Sequence, residues 1–399
     1  MIKREKYLSK MREFYDADLI KVIIGIRRCG KSVLLKQIMD ELKEEKVTDN
    51  HIIYINFEDV EYSYIKNYLD LNKYVKEKIT DESKYYLLFD EIQLVEEWEK
   101  AVNSFKATLN VSIFVTGSNS KLLSSELATL LSGRYVSFKI APFSFSEVVE
   151  LKQLTDKRDI EDAFNDYLLW GGLPQRFEFK TIDATKAYLS DVFDAIVLKD
   201  IVKKNNIKNI TLFQRVIEYL ATNLSQSFSP TNMLKEFTKE EIPISTRTIY
   251  ECLDYAESSL LMSKVSAYDI RGKKILSRKD KYYLQDLGLG QVLNINKKTQ
   301  FGAYLENIVY NELIYRGYNV NIGNNNGKEI DFIATKYNQK EYYQVAYTLA
   351  SDDTEEREFS AYDNIDDNYP KYVISTDKLD YSQNGIIHKN IIDFLLEKN

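Results

Sequence analysis

The chain has 399 residues, a formal net charge of −7, and 44% hydrophobic against 29% charged residues. That balance excludes a disordered chain and predicts a folded, soluble protein of two or three domains. Two cysteines, Cys29 and Cys252, and two distant histidines, His51 and His388, exclude a disulfide framework and argue against a zinc site. No apolar run reaches the ~20 residues of a bilayer span, and the N-terminus lacks a secretory apolar region. A cytoplasmic protein with no membrane partner is expected, without overall attraction to nucleic acid.

In chain order, Leu19–Ile24 reads as a strand and Lys31–Glu45 as a helix. Strands are predicted at His51–Phe57, Tyr85–Phe89, Ser112–Thr116 and Tyr135–Ile140, with a helix at Trp98–Leu109. Short apolar runs alternating with amphipathic stretches predict an α/β fold with a parallel sheet. Pro142 closes this part, and Ser144-Phe-Ser-Glu147 fits a capping box that opens a helix. The next part is helical, most clearly at Asp183–Val202 and Thr211–Leu224; Ser229-Pro230 and Ser245 mark further helix starts. The runs Met262–Tyr268 and Lys274–Leu276 then read as a hairpin, and helices followed by a hairpin suggest a winged helix. After Gln300 a helix at Tyr304–Tyr315 and strands at Asn319–Ile322, Ile330–Ala334, Tyr342–Ala346 and Tyr372–Ser375 predict a third, α/β unit, closed by a helix at Lys389–Leu396. The expected domains are 1–142, 143–299 and 300–399.

Gly25-Ile-Arg-Arg-Cys-Gly30-Lys31-Ser32 has Walker A spacing, and it follows a strand and opens a helix, as the motif requires. Consecutive amides in such a loop wrap phosphate oxygens, and the helix N-terminus adds positive potential. The expected nucleotide contacts run from Gly25 through Arg27, Arg28, Cys29, Gly30, Lys31 and Ser32 to Val33. Lys31 would reach the β- and γ-phosphates of ATP, and the Ser32 hydroxyl would ligate Mg²⁺. Tyr85-Tyr-Leu-Leu-Phe-Asp90-Glu91 supplies the partner: Asp90 for the metal's water shell and Glu91 as general base. Asn119 or Ser118 is a candidate γ-phosphate sensor, the alternative for Ser118 or Ser120 being a helix cap. Arg134 is a candidate for neutralising transition-state charge in cis or from a neighbouring subunit, against an ordinary surface arginine. Arg27 and Arg28 either clamp phosphate or pair with Glu58 or Asp59. Cys29 is either an acidic thiol beside the anion site or a small filler.

These motifs, together with Phe89-Asp-Glu-Ile-Gln93, Thr116-Gly-Ser-Asn119, Gly133-Arg134, Pro142–Glu147 and Trp170-Gly-Gly-Leu-Pro174, resemble a prokaryotic ATPase family. Its members carry an AAA+-type domain of the ASCE class of P-loop NTPases, related to the STAND ATPases. A winged-helix region and a restriction-endonuclease-like C-terminal domain follow. The resemblance implies that Pro174, in Gly172-Leu-Pro174, lies against adenine. It also implies a nuclease-type site in which Glu306 and Asp331 match two carboxylate places. Gln344 and Ala346 stand where a third acid and a lysine are needed, so a catalytically degenerate domain is expected. Lys336 and Lys340 are candidates for a migrated lysine.

The function expected is an ATP-driven regulatory switch with the C-terminal domain as a binding module and a protein partner of unknown identity. The alternative is an ATP-dependent DNA-binding or DNA-processing enzyme. The basic hairpin Lys264–Lys281 is a candidate DNA contact, although Glu251, Asp254 and Glu257 on the preceding helix oppose major-groove reading. Oligomerisation is compatible with this reading.

Overall fold

A computed structural model describes residues 2–118, 130–131, 133–203, 207, 209–293 and 301–397. Asn119 and Ser120, one of the two sensor candidates and one of the two cap candidates, lie outside the described residues. The chain forms two compact units, residues 1–142 with 258–260, and residues 143–257 with 261–399.

The first unit opens with helix α1 (Glu5–Arg12), followed by β1 (Ile20–Ile24), α2 (Lys31–Glu44), β2 (Ile52–Asn56), α3 (Tyr68–Lys78), β3 (Tyr85–Asp90), α4 (Trp98–Thr108), β4 (Val111–Gly117) and β5 (Tyr135–Lys139). All five strands are parallel in the order β2-β3-β4-β1-β5. Every residue of β1 and β3 is buried, as a sheet covered on both faces requires. The order inserts β4 between the strand that leads into the Gly25–Ser32 loop and the strand that ends at Asp90. Both loops therefore leave the same, C-terminal edge of the sheet.

The second unit begins with helix Phe145–Lys152, whose capping box is formed: the Glu147 amide donates to Ser144 Oγ and the Ser144 amide to Glu147 Oε2. Helices Lys157–Trp170 and Ile182–Ala195 follow, the latter continuing as a π-helix over Ile196–Lys203. Helices Ile210–Thr222, Pro230–Lys239 and Thr246–Ser258 precede a hairpin of β6 (Met262–Asp269) and β7 (Lys274–Leu284). Helix Phe301–Tyr315, β8 (Asn319–Asn325), β9 (Lys328–Lys336), β10 (Gln339–Val345), helix Asp352–Ser360, β11 (Lys371–Ser375), β12 (Ile387–Asn390) and helix Ile391–Leu396 complete the unit.

The hairpin differs from expectation in two ways. β7 runs on to Leu284, because Lys281, which breaks the apolar pattern, is itself buried. β6 also pairs in parallel with β8, Ala267–Asp269 against Ile322–Asn324, which places the hairpin at the edge of one seven-stranded sheet, β12-β11-β10-β9-β8-β6-β7. The expected division at residue 299 thus cuts through a continuous sheet. The acidic stretch from Asp352 forms a helix because Ser351 caps it and Asp352, Asp353 and Glu355 complement the positive end of its dipole.

Candidate functional site

The loop after β1 holds two left-handed residues, Arg28 (φ 67°) and Gly30 (φ 102°). Such alternation turns successive amides toward one concavity, the geometry of an anion nest. An arginine in this region stores backbone strain, which the surroundings must over-determine. Arg4 does part of that. Its buried guanidinium donates from Nη1 to Cys29 O (3.2 Å) and from Nη2 to Ala141 O (3.1 Å). Gly25 permits the close approach beneath the loop, since a Cβ there would lie 2.4 Å from Ile140 O and 2.6 Å from Cys29 Sγ. Cys29 itself is fully buried, and burial pushes its thiol up, with Lys31 and Arg4 opposing. The acidic-thiol alternative is thereby corrected: Cys29 is a filler.

Lys31 opens α2 and is 5% exposed. Its ammonium donates to Gly25 O (3.1 Å) and Ile26 O (3.4 Å), and it lies 3.6 Å from Glu91 Oε1. The two motifs, sixty residues apart in sequence, therefore meet at one point. Asp90 is wholly buried at the tip of β3, where Oδ1 accepts from Thr116 Oγ1 and Oδ2 from the Tyr54 hydroxyl (3.4 Å). The same Thr116 Oγ1 accepts the Glu91 amide at 2.9 Å. Glu91 is left-handed (φ 54°), and its Oε2 accepts from Gln93 Nε2. One hydroxyl from β4 thus holds both the Asp90 carboxylate and the backbone amide of Glu91, the residue just past β3. Ser32 and Val33 are half-buried in the first turn of α2, and Ser118 is buried just past the end of β4. Arg27 reaches Glu58 at 3.5 Å, the expected ion pair, while Arg28 is exposed.

Arg134 is not brought to this site within one chain. It is exposed and its carbonyl accepts the amide of Ile20, where β1 begins, so it sits at the sheet edge opposite the loop.

In the second unit Pro174 is half-buried and starts a short 3₁₀ helix, Pro174–Glu178. The loop before it is clamped by Asp286, which accepts the Gly172 amide at Oδ2 (2.7 Å) and the Gly288 amide at Oδ1 (2.9 Å). A Cβ on Gly171 would lie 2.0 Å from the same carboxylate, and one on Gly172 2.1 Å from Phe143 O. Burial raises the Asp286 carboxyl to about 6, against these amides and Arg176. Arg176 braces the loop by donating to Gly171 O (2.7 Å) and pairing with Asp166 (2.9 Å).

Glu306, Asp331 and Gln344 do come together. Asp331 Oδ2 accepts the Val345 amide (2.8 Å), and Gln344 Oε1 accepts the Asp331 amide (3.1 Å). Ala346 is buried in the neighbouring apolar cluster. Neither candidate lysine enters: Lys336 donates to Arg316 O (2.9 Å) and Lys340 to Asp367 (3.2 Å). The lysine that does enter is Lys281 of β7, 1% exposed, whose ammonium lies 3.1 Å from Glu306 Oε1, 2.6 Å from Glu329 Oε1 and 3.8 Å from Asp331 Oδ1. Of the cations in the basic hairpin, Lys281 is buried among acids and Lys264 pairs with Asp280 at 3.1 Å, while Arg271, Lys273, Lys274 and Lys279 are exposed.

Residues 17–149 match a family model described as an AAA domain, and residues 161–299 match a domain of unknown function, DUF8612. The chain is 40% identical to an uncharacterized protein of Haemophilus influenzae over 400 residues, covering 100% of this chain and 99% of that one. It is 34% identical to an uncharacterized protein of Methanocaldococcus jannaschii over 360 residues, 86% of this chain and 78% of that one. The chain belongs to the family of these two proteins. Its first unit is an AAA-type P-loop domain, as the strand order and loop geometry require. Among solved structures it is similar to Aeropyrum pernix ORC1 in complex with DNA (TM-score 0.30, 11% identity, 74% of this chain and 92% of that). It is also similar to AMPPCP-bound DnaA of Aquifex aeolicus (TM-score 0.29, 14% identity, 64% and 89%). Likeness at that level adds nothing to the fold described above. No helix among the described residues is long and apolar enough to cross a membrane.

Sequence reasoning missed Arg4, Thr116 as a bridge, and Lys281. The only sequence signal for Lys281 was a lysine directly before Tyr-Tyr-Leu, an apolar run in which a charge needs a buried partner.

Proposed function

We propose that the protein binds Mg-ATP at Gly25–Ser32 and hydrolyses it, using the cycle as a regulatory switch with the C-terminal domain as a binding module. The observation that carries this reading is the meeting of Lys31 with Glu91 at 3.6 Å, beside a loop with left-handed residues at Arg28 and Gly30. Phosphate oxygens compete with Glu91 for the Lys31 ammonium. Once Lys31 turns to phosphate, the Glu91 carboxylate is released to orient a water and take its proton. Gln93 donates to that carboxylate, and the Thr116 hydroxyl holds the Glu91 backbone amide.

The donor set suits Mg²⁺: the Ser32 hydroxyl at the start of α2 and the Asp90 carboxylate are hard oxygens, and Asp90 is already held by two hydroxyls. When bound, the metal neutralises charge on the phosphates. Ser118 is the described candidate for a γ-phosphate sensor. In this reading Arg134 serves a neighbouring subunit. The helices ahead of the β6–β7 hairpin are read as a winged-helix region, and the helix and strands from Phe301 onward as a restriction-endonuclease-like domain. DNA is the alternative partner: Lys264 and Lys281 of the hairpin are neutralised internally, while Arg271, Lys273, Lys274 and Lys279 stay exposed. Measuring phosphate release tests the reading. Glu91→Gln should still bind ATP but release phosphate at least about a hundred-fold more slowly. Release at the wild-type rate contradicts Glu91 as the base.

A further inference from the structure

The carboxylates Glu306 and Asp331 occupy the places at which a nuclease-type fold holds a divalent cation, and the donor set can be tested against that group. Such a cation needs several anionic or neutral oxygens directed at one point, with room for water. Here the point is taken. Lys281 projects from β7 with its ammonium within 4 Å of carboxylate oxygens from Glu306, Glu329 and Asp331. Among the described residues, no group of three or more His, Cys, Asp or Glu is arranged to hold a metal ion. The third ligand place is Gln344, whose Oε1 is committed to the Asp331 amide. The residues do not fit a divalent cation.

We propose that Lys281 is the resident cation of this site: its ammonium stands where the metal would be, and the cluster is a closed, metal-independent lock rather than a cleavage centre. The proposal draws on the nuclease-like reading of the domain only for where a metal would be expected.

Three observations support the lock. First, the geometry around Lys281 is over-determined. Tyr283, two residues on, donates to the same Glu306 Oε1 (2.6 Å), and the Asn307 side chain takes both the amide and the carbonyl of Leu284 (2.8 Å each). Asn311 also donates to Leu284 O (3.0 Å). Helix Phe301–Tyr315 therefore fixes the register of β7, and with it the position of the ammonium. Second, the charges are mutually consistent. Burial opposes the Lys281 charge, but Glu306, Asp331 and Glu329 outweigh it and hold the ammonium above the ordinary lysine range. Burial, then the Glu306 charge, raises Asp331 well above the usual carboxylate range, with Lys281 opposing. One ammonium thus faces three carboxylates, two of them buried, and is the positive charge that opposes their mutual repulsion. Third, the cluster borders a cleft of about 470 Å³ also lined by Lys328, Arg357 and Glu358. Access from solvent is available, so the ammonium and not closure of the fold keeps a divalent ion out.

The test uses the full chain without nucleotide, so its outcome does not depend on whether ATP is bound or hydrolysed. Thermal unfolding and Mn²⁺ binding by electron paramagnetic resonance are compared for wild type, Asp331→Asn, Lys281→Met and the double variant. Wild type and Asp331→Asn should respond identically to millimolar Mn²⁺. Lys281→Met should unfold lower by roughly 10 °C, as expected for buried carboxylates left without their cation. It should also gain one Mn²⁺ site that raises its melting temperature, and Asp331→Asn should abolish that site. Mn²⁺ stabilisation of the wild type that is lost in Asp331→Asn overturns the proposal, as does a folded Lys281→Met with no added site. Incubation of wild type and Lys281→Met with plasmid DNA and Mg²⁺ or Mn²⁺ is the second measurement, and it holds even if Lys281→Met is too unstable to study. No cleavage by wild type supports the lock, and cleavage that depends on Lys281 or Asp331 refutes it.

Discussion

Replacing Thr116 by valine keeps the shape of a residue that is wholly buried and removes only its hydroxyl. That hydroxyl makes two contacts, donating to the Asp90 carboxylate and accepting the Glu91 amide at 2.9 Å. Loss of a charge-assisted hydrogen bond costs about 2 kcal/mol, and an orphaned buried amide about 1 kcal/mol more. Tyr54, at 3.4 Å, is too distant from Asp90 to compensate fully. Thr116→Val should therefore lower unfolding stability by about 3 kcal/mol in urea titration. Glu91, no longer held at its left-handed backbone position by that acceptor, should relax, reducing ATP turnover by about tenfold or more with little change in KM. Thr116→Ser, which retains the hydroxyl, should recover most of both. If Thr116→Val unfolds like wild type and turns over ATP at the same rate, the bridging role is wrong.

The Asp286 clamp carries a pH signature. Its folded carboxyl lies near 6 against an ordinary 3.8, so the folded state binds this proton more tightly. The stability it contributes is complete below about pH 4 and lost as pH rises through about 6, by about 3 kcal/mol. Asp286→Asn should remove that slope, gaining about 3 kcal/mol relative to wild type between pH 4 and 7 in urea titrations at each pH. A difference independent of pH refutes the buried charge. Arg4→Ala frees the carbonyls of Cys29 and Ala141, and should weaken ATP affinity by about tenfold in isothermal titration, through a loosened loop. Unchanged affinity would show that the loop holds its left-handed residues without it.

The parallel sheet and both phosphate-site motifs were legible because their signals are local: a strand must be apolar to be buried, and Gly25, Gly30, Lys31 and Ser32 recur at a spacing fixed by backbone geometry. What joined them was not local. Thr116 meets Asp90 and Glu91 only because β4 lies between β1 and β3, and Arg4 reaches Ala141 only once the sheet has closed. Arg134 looked close to the site because it follows the sensor segment. Yet the residue before a parallel strand lies at the edge opposite the loop after its neighbour, so strand direction separates the two. In the second unit, the carboxylates Glu306 and Asp331 were legible and their cation was not. A lysine inside a strand reads as an exposed edge until the acids it meets, from a helix and another strand, are known.

Equilibrium binding of Mg-ATP to wild type, Lys31→Ala and Glu91→Gln tests the central claim most directly. The account predicts that Glu91→Gln binds at least as tightly as wild type, while Lys31→Ala loses binding by a hundred-fold or more, about 3 kcal/mol. Lys31→Ala binding Mg-ATP as wild type does would contradict it.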